Sequence, residues 1–229
     1  MKPAASKPRP NLPPLPRWAQ PALQGLAFWI GHRRALYSDH PLAEAALVAE
    51  LCNLIQAHLP KKERQLRCEV QYSHLNVKSG VMGPFARMDL LISARPTPQN
   101  DQFTPLIVIE VKRYGANKKL IDADLQRLAA VKLARPEMRA FLVVVAEASH
   151  PKEYVSGEGE AIIKSQPVPN TDFIFRVRRV LKASPSFSTD QIDNAQFACL
   201  IEVLPKPPRP PKPAKPLRLI KPVKKPIPR

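Results

Sequence analysis

Glu110 and Lys112 flank Val111 at the end of Leu106-Ile107-Val108-Ile109, a run that is apolar at every position. Such a run, without polar alternation, reads as a strand covered on both faces. Residues two apart on a strand point the same way, about 7 Å from each other. A carboxylate and an ammonium should therefore emerge side by side where a buried strand meets a cleft. Asp89 interrupts a second apolar segment, Met88-Asp89-Leu90-Leu91-Ile92, and if the two strands are antiparallel neighbours it sits across from Glu110. Two carboxylates aimed at one spot repel unless a cation lies between them, which suits Mg2+ or Mn2+. Such a cation keeps waters for a phosphate to displace and lowers the pKa of one of them. Lys112 can orient that water, help deprotonate it or stabilise charge growing on the phosphate. Together these parts imply phosphodiester hydrolysis.

The elements that must position these residues can be read along the chain. Residues 20–37 look helical, with Gly25 and Gly31 as weak points. A second helix is expected from a Ser38 or Asp39 cap, with Pro41 in its first turn, to about Leu59, where Pro60 stops it. Leu47, Leu51, Leu54 and Ile55 centre its apolar face, and Glu44 falls near the middle of that face. A carboxylate there costs stability unless it reaches a polar cleft, so Glu44 is a fourth candidate. Strands are expected at 66–72, 85–93 and 106–114, with a turn or hairpin loop over 73–84. A helix over 122–134, ended by Pro136, leads to a fourth strand at 141–146. Residues 147–171 read as irregular, 173–181 as strand or helix, and 190–204 as a final helix capped by Thr189. The order αβββαβ implies an α/β fold with a mixed central sheet flanked by helices.

Helix-Glu, strand-Asp and strand-Glu-x-Lys in this order resemble the PD-(D/E)XK nuclease superfamily, with its restriction-endonuclease-like fold. The resemblance covers roughly residues 38–148. It implies that Asp89 and Glu110 bind the metal, with the Val111 main-chain carbonyl as a further ligand. It implies that Lys112 assists the attacking water and that Glu44 completes the site. Many members carry a Gln on the helix after the Glu-x-Lys strand, and Gln126 in Asp124-Leu125-Gln126-Arg127-Leu128 could match it. The chain departs from the pattern at Met88, where a proline often precedes the Asp. It lacks the exonuclease-type Gln-x-x-x-Tyr, since Ala130 stands where the Tyr would be.

Among 229 residues, 36 Lys+Arg against 19 Asp+Glu give a formal net charge of +17, but the excess is uneven. Residues 1–21 carry +4 with 7 prolines and residues 205–229 carry +9 with 10 prolines, both without an acid. These read as disordered, PPII-prone basic arms around a domain at 22–204 whose own charge is only +4. Cations could contact phosphates at Lys118, Lys119, Arg127, Arg176, Arg178 and Arg179. DNA is the expected partner. Aromatic residues make up 6%, too few to suggest a stacking platform for single strands. No run approaches the roughly 18 apolar residues of a membrane helix. No apolar segment follows the basic N-terminus as a secretion signal would require. Cys52, Cys68 and Cys199 are odd in number and far apart, so they suggest neither a disulfide framework nor a cysteine metal site. A cytoplasmic, reducing setting is the expectation. Homodimerisation is frequent in restriction-type enzymes, but no interface is legible. Two rival readings remain: an inactive nucleic-acid-binding or scaffold protein on the same fold, and a partner-binding protein whose proline-rich arms dock on aromatic grooves.

Overall fold

The computed structural model describes residues 12–37, 40–77, 82–115, 117–183 and 192–207. Seven strands form one mixed sheet: β1 (Arg64–Gln71), β2 (Arg87–Ala94), β3 (Thr104–Arg113), β4 (Arg139–Ala146), β5 (Gln166–Pro167), β6 (Phe173–Ala183) and β7 (Gln196–Pro205). Their order across the sheet is β1-β2-β3-β4-β7-β6-β5. Among the described residues only β3 and β4 pair in parallel, and α3 (Lys118–Ala134) makes the crossover that a parallel pair requires. Helices α1 (Ala19–Leu36) and α2 (Glu44–His58) cover the face carrying Leu90, Ile92, Ile109 and Val111. Helix α3 covers the other face, against Leu91, Val108, Leu142 and Val144. With both faces covered, β3 and β4 can be apolar on both sides, as their sequences are. The molecule is thus an α/β protein with a seven-stranded mixed sheet between helices.

Several boundaries differ from expectation. Residues 196–205 form strand β7, not the end of a helix; Thr189 lies outside the described residues. β7 lies between β4 and β6, and every residue from Gln196 to Val203 is buried. A fully buried apolar run carries no periodicity that separates helix from strand. Helix α2 starts only at Glu44, after an Ala43 cap without a side-chain bond. The backbone just before it is engaged elsewhere: Leu42 N–H donates to Glu147, and Leu42 C=O accepts from Arg113. The proposed caps Ser38 and Asp39 lie outside the described residues. Helix α3 starts four residues earlier than expected, because the Asn117 side chain accepts from Lys119 N–H at 3.0 Å and caps it. The region 147–171 contains the short strand β5.

The packed domain also begins before residue 22. Trp18 is 3% exposed and meets Phe141 edge-on, with ring centroids 6.4 Å apart. Helices α1 and α2 pack so closely that a Cβ on Gly25 would lie 2.7 Å from Leu54 Cδ2. Most of each basic arm, residues 1–11 and 208–229, lies outside the described residues. The cysteines, far apart in sequence, are not all apart in space: Cys52 and Cys68 are neighbours, with their sulfurs 3.1 Å from each other.

Candidate active site

The site forms where β2 and β3 separate. Their last register pair is Leu90 with Ile109, which places Asp89 opposite Glu110 and both on the α3 side of the sheet. Asp89 then reaches one residue further, and its Oδ2 accepts from Val111 N–H at 2.6 Å. A strand donor that has lost its ladder partner is satisfied by a side chain instead. Burial raises the Asp89 carboxyl above the usual carboxylate range, with that backbone bond opposing the shift.

Glu110 is 2% exposed. Burial first, and then the charge of Asp89, push its carboxyl up to about 8. Its Oε1 accepts from the Tyr72 hydroxyl and lies 3.5 Å from Arg127 Nε. Tyr72 sits on the 3-10 turn Tyr72–Leu75 that follows β1. Burial and the nearby Glu110 hold the Tyr72 hydroxyl well above its ordinary range, so it remains a donor.

Lys112 continues along the same face of β3. Its ammonium pairs closely with Glu44 at the first residue of α2, and it lies 3.4 Å from Asp124 Oδ2 on α3. Asp124 is fully buried and also pairs closely with Arg127, one turn further along α3. A helix from each face of the sheet therefore supplies a carboxylate to one strand lysine. Fully ionised, the acids Glu44, Asp89, Glu110 and Asp124 exceed the cations Lys112 and Arg127 by two charges. A divalent cation would offset that excess, and it would also favour the charged forms of Asp89 and Glu110, whose carboxyls are raised first by burial. Asp89, Glu110 and the Val111 carbonyl offer it hard oxygen donors, and in this respect the residues fit. Among the described residues no three His, Cys, Asp or Glu side chains stand together as a ready-made metal cage. A Mg2+ ion held through two carboxylates and waters does not require one.

Asp89, Glu110, Lys112 and Glu44 thus converge. Gln126 does not join them: it has no hydrogen bond to the cluster, and Asp124 and Arg127 are the α3 residues that pair with its members. Arg127, expected to face phosphate, is committed to Glu110 and Asp124. Arg178 is committed too. Its side chain is 9% exposed, pairs closely with Glu202 and donates to Pro13 C=O at 2.6 Å. Arg176 donates to Ile163 C=O, and Arg179, although exposed, donates to Gln20. Lys118 and Lys119 are exposed in the first turn of α3. Beside them a cleft of about 440 Å3, lined by Tyr114, Lys118, Asp122, Glu153, Tyr154 and Phe175, opens past the end of β3.

Sequence reasoning missed Tyr72 and Asp124. Asp124 had a readable signal, since it lies on the stripe formed by Ile121, Leu125 and Leu128, the same anomaly that singled out Glu44. Tyr72 had none, because its role depends on how the turn after β1 folds back. No family model matches the chain, and no curated protein or solved structure matches it.

Proposed function

We propose that this protein is a divalent-cation-dependent nuclease of the PD-(D/E)XK kind, acting on DNA. The observation that carries the reading is the opposition of Asp89 and Glu110 where β2 and β3 part, with Lys112 on the same face and tied to Glu44. The order α2-β1-β2-β3-α3-β4 agrees with the αβββαβ core that the resemblance implies. Asp89, Glu110 and the Val111 carbonyl would hold Mg2+ or Mn2+. A bound cation of this kind supplies an acidified water and neutralises phosphate charge.

The remaining roles belong to the protein's own groups. Lys112 presents its ammonium at the mouth of the cluster, where it can steady a phosphate oxygen or the attacking water. Glu44 and Asp124 fix its position from opposite faces of the sheet. Tyr72 and Arg127 hold one oxygen of Glu110, which leaves the other for the cation. The exposed Lys118 and Lys119 border the approach and suit phosphate contacts.

One observation favours an inactive nucleic-acid-binding relative. Both cations of the cluster are already paired with acids, and Glu110 already has two partners. One experiment separates the readings: plasmid and linear DNA incubated with Mg2+, with EDTA, and with the variants Asp89→Ala and Lys112→Ala. The nuclease reading expects cleavage that needs the cation and falls at least about a hundredfold in each variant. Cleavage that persists unchanged in both would remove the assigned site. Salt-sensitive DNA binding without cleavage of any substrate would establish the inactive relative instead.

A further inference from the structure

Cys52 and Cys68 are brought together from different elements, the middle of α2 and the middle of β1. Their sulfurs lie 3.1 Å apart. Closing that gap to a disulfide takes a movement of about 1 Å. Cys68 is exposed and Cys52 half-buried, whereas Cys199 is buried in the sheet. The pair is also open to small reagents. It lines a shallow groove of about 410 Å3 between α2 and β1, where Ala45 and Ala49 on the helix leave space over the thiols.

We propose that Cys52 and Cys68 form a reversible dithiol–disulfide site, oxidised by low-molecular-weight disulfides such as oxidised glutathione. Although the residue is exposed, partial desolvation of its sulfur and the bond to Cys52 push the Cys68 thiol up to about 12, which leaves Cys52 to make the first attack. The Cys52 sulfur attacks one sulfur of the small disulfide and forms a mixed disulfide, while the other half leaves as a thiol that carries the Cys52 proton. The Cys68 sulfur then attacks Cys52, its S–H proton passing to the second departing thiolate. Two protein thiols are oxidised by two electrons, and one small disulfide is reduced to two thiols. The new bond would join the helix that begins with Glu44 to the strand whose Cys68 pairs with Leu90, next to Asp89. The proposal is independent of any nuclease activity, and its test needs none.

The full chain, reduced and freed of reductant, is treated with oxidised glutathione and examined by intact mass, by thiol titration in denaturant and by peptide mapping. The expected product is a monomer lighter by two hydrogens, with two of its three thiols lost. Its peptides show Cys52 linked to Cys68 and Cys199 free, and dithiothreitol restores the starting mass. Cys199→Ala should behave as the parent does. Cys68→Ser should stop at a single glutathione adduct on Cys52, because the resolving thiol is gone. The proposal is overturned if the parent chain retains all three thiols, accumulates stable glutathione adducts, or cross-links between chains.

Discussion

Burial and the facing Asp89 hold the Glu110 carboxyl at about 8, against 4.5 for an ordinary glutamate. Between those two values the folded chain binds a proton that the unfolded chain has released, so stability should fall as pH rises across this window. The contribution is complete below about 4.5 and is lost as pH passes through about 8. In the absence of divalent cation, calorimetry should therefore show the unfolding temperature declining from pH 5 to pH 9. Glu110→Gln should flatten that decline, and equal slopes in the two proteins would refute the assignment. Asp124 offers a second handle. Asp124→Asn keeps the shape but leaves Lys112 held mainly by Glu44. Loss of one charge-assisted contact of about 2 kcal/mol corresponds to roughly a thirtyfold lower cleavage rate. It is checked by single-turnover kinetics alongside an unchanged circular dichroism spectrum. These residues also mark how far the site was legible. Asp89, Glu110 and Lys112 stood out because charge inside an apolar strand has few structural reasons to exist. Arg127, expected to contact phosphate, is defined by Asp124, an i,i+3 neighbour that helix spacing offers, and by Glu110, 17 residues away, which only the fold brings to it.

At the level of elements, the strands from β1 to β4 could be read because turns or polar loops bound them and because β3 lacks alternation. β7 was misread for the complementary reason. Its burial on both faces leaves no pattern, and only the neighbours β4 and β6 decide that it is extended. The same strand carries Glu202, 2% exposed, which accepts from Arg139 Nε at 2.7 Å and Nη2 at 3.0 Å and pairs closely with Arg178. Arg178 stands at the register break of β6, between Val177 and Arg179. Removing the central charge would leave two guanidiniums facing each other. Glu202→Gln is expected to cost about 3 kcal/mol of stability, measured by urea denaturation. Because the triad lies away from the acid cluster, the variant's cleavage chemistry at low temperature should be unaffected. A loss below about 1 kcal/mol would mean that the triad is screened by solvent.

For the whole molecule, charge and chemistry are separated. Thirteen of the seventeen net positive charges lie in the two proline-rich ends, and the domain between them is nearly balanced. Removing residues 208–229, which carry eight Lys/Arg and no acid, should weaken DNA binding and flatten its dependence on salt. The rate of a single catalytic turnover at saturating DNA should not change. Fluorescence anisotropy across a salt series measures the first, and an undiminished salt slope would show that the domain surface provides the contacts. Arg139 and Arg178, besides holding Glu202, donate to the carbonyls of Pro14 and Pro13. β7 ends at Pro205, beside the start of β4. Both basic ends therefore depart from one pole of the sheet, while Lys112 stands level with Val144, five residues further along β4 from Arg139. Five strand rises amount to about 17 Å. If the chain acts on DNA as proposed, that separation corresponds to about five base-pair steps of B-form DNA between the Pro13–Pro14 and Pro205 end of the sheet and the acid cluster.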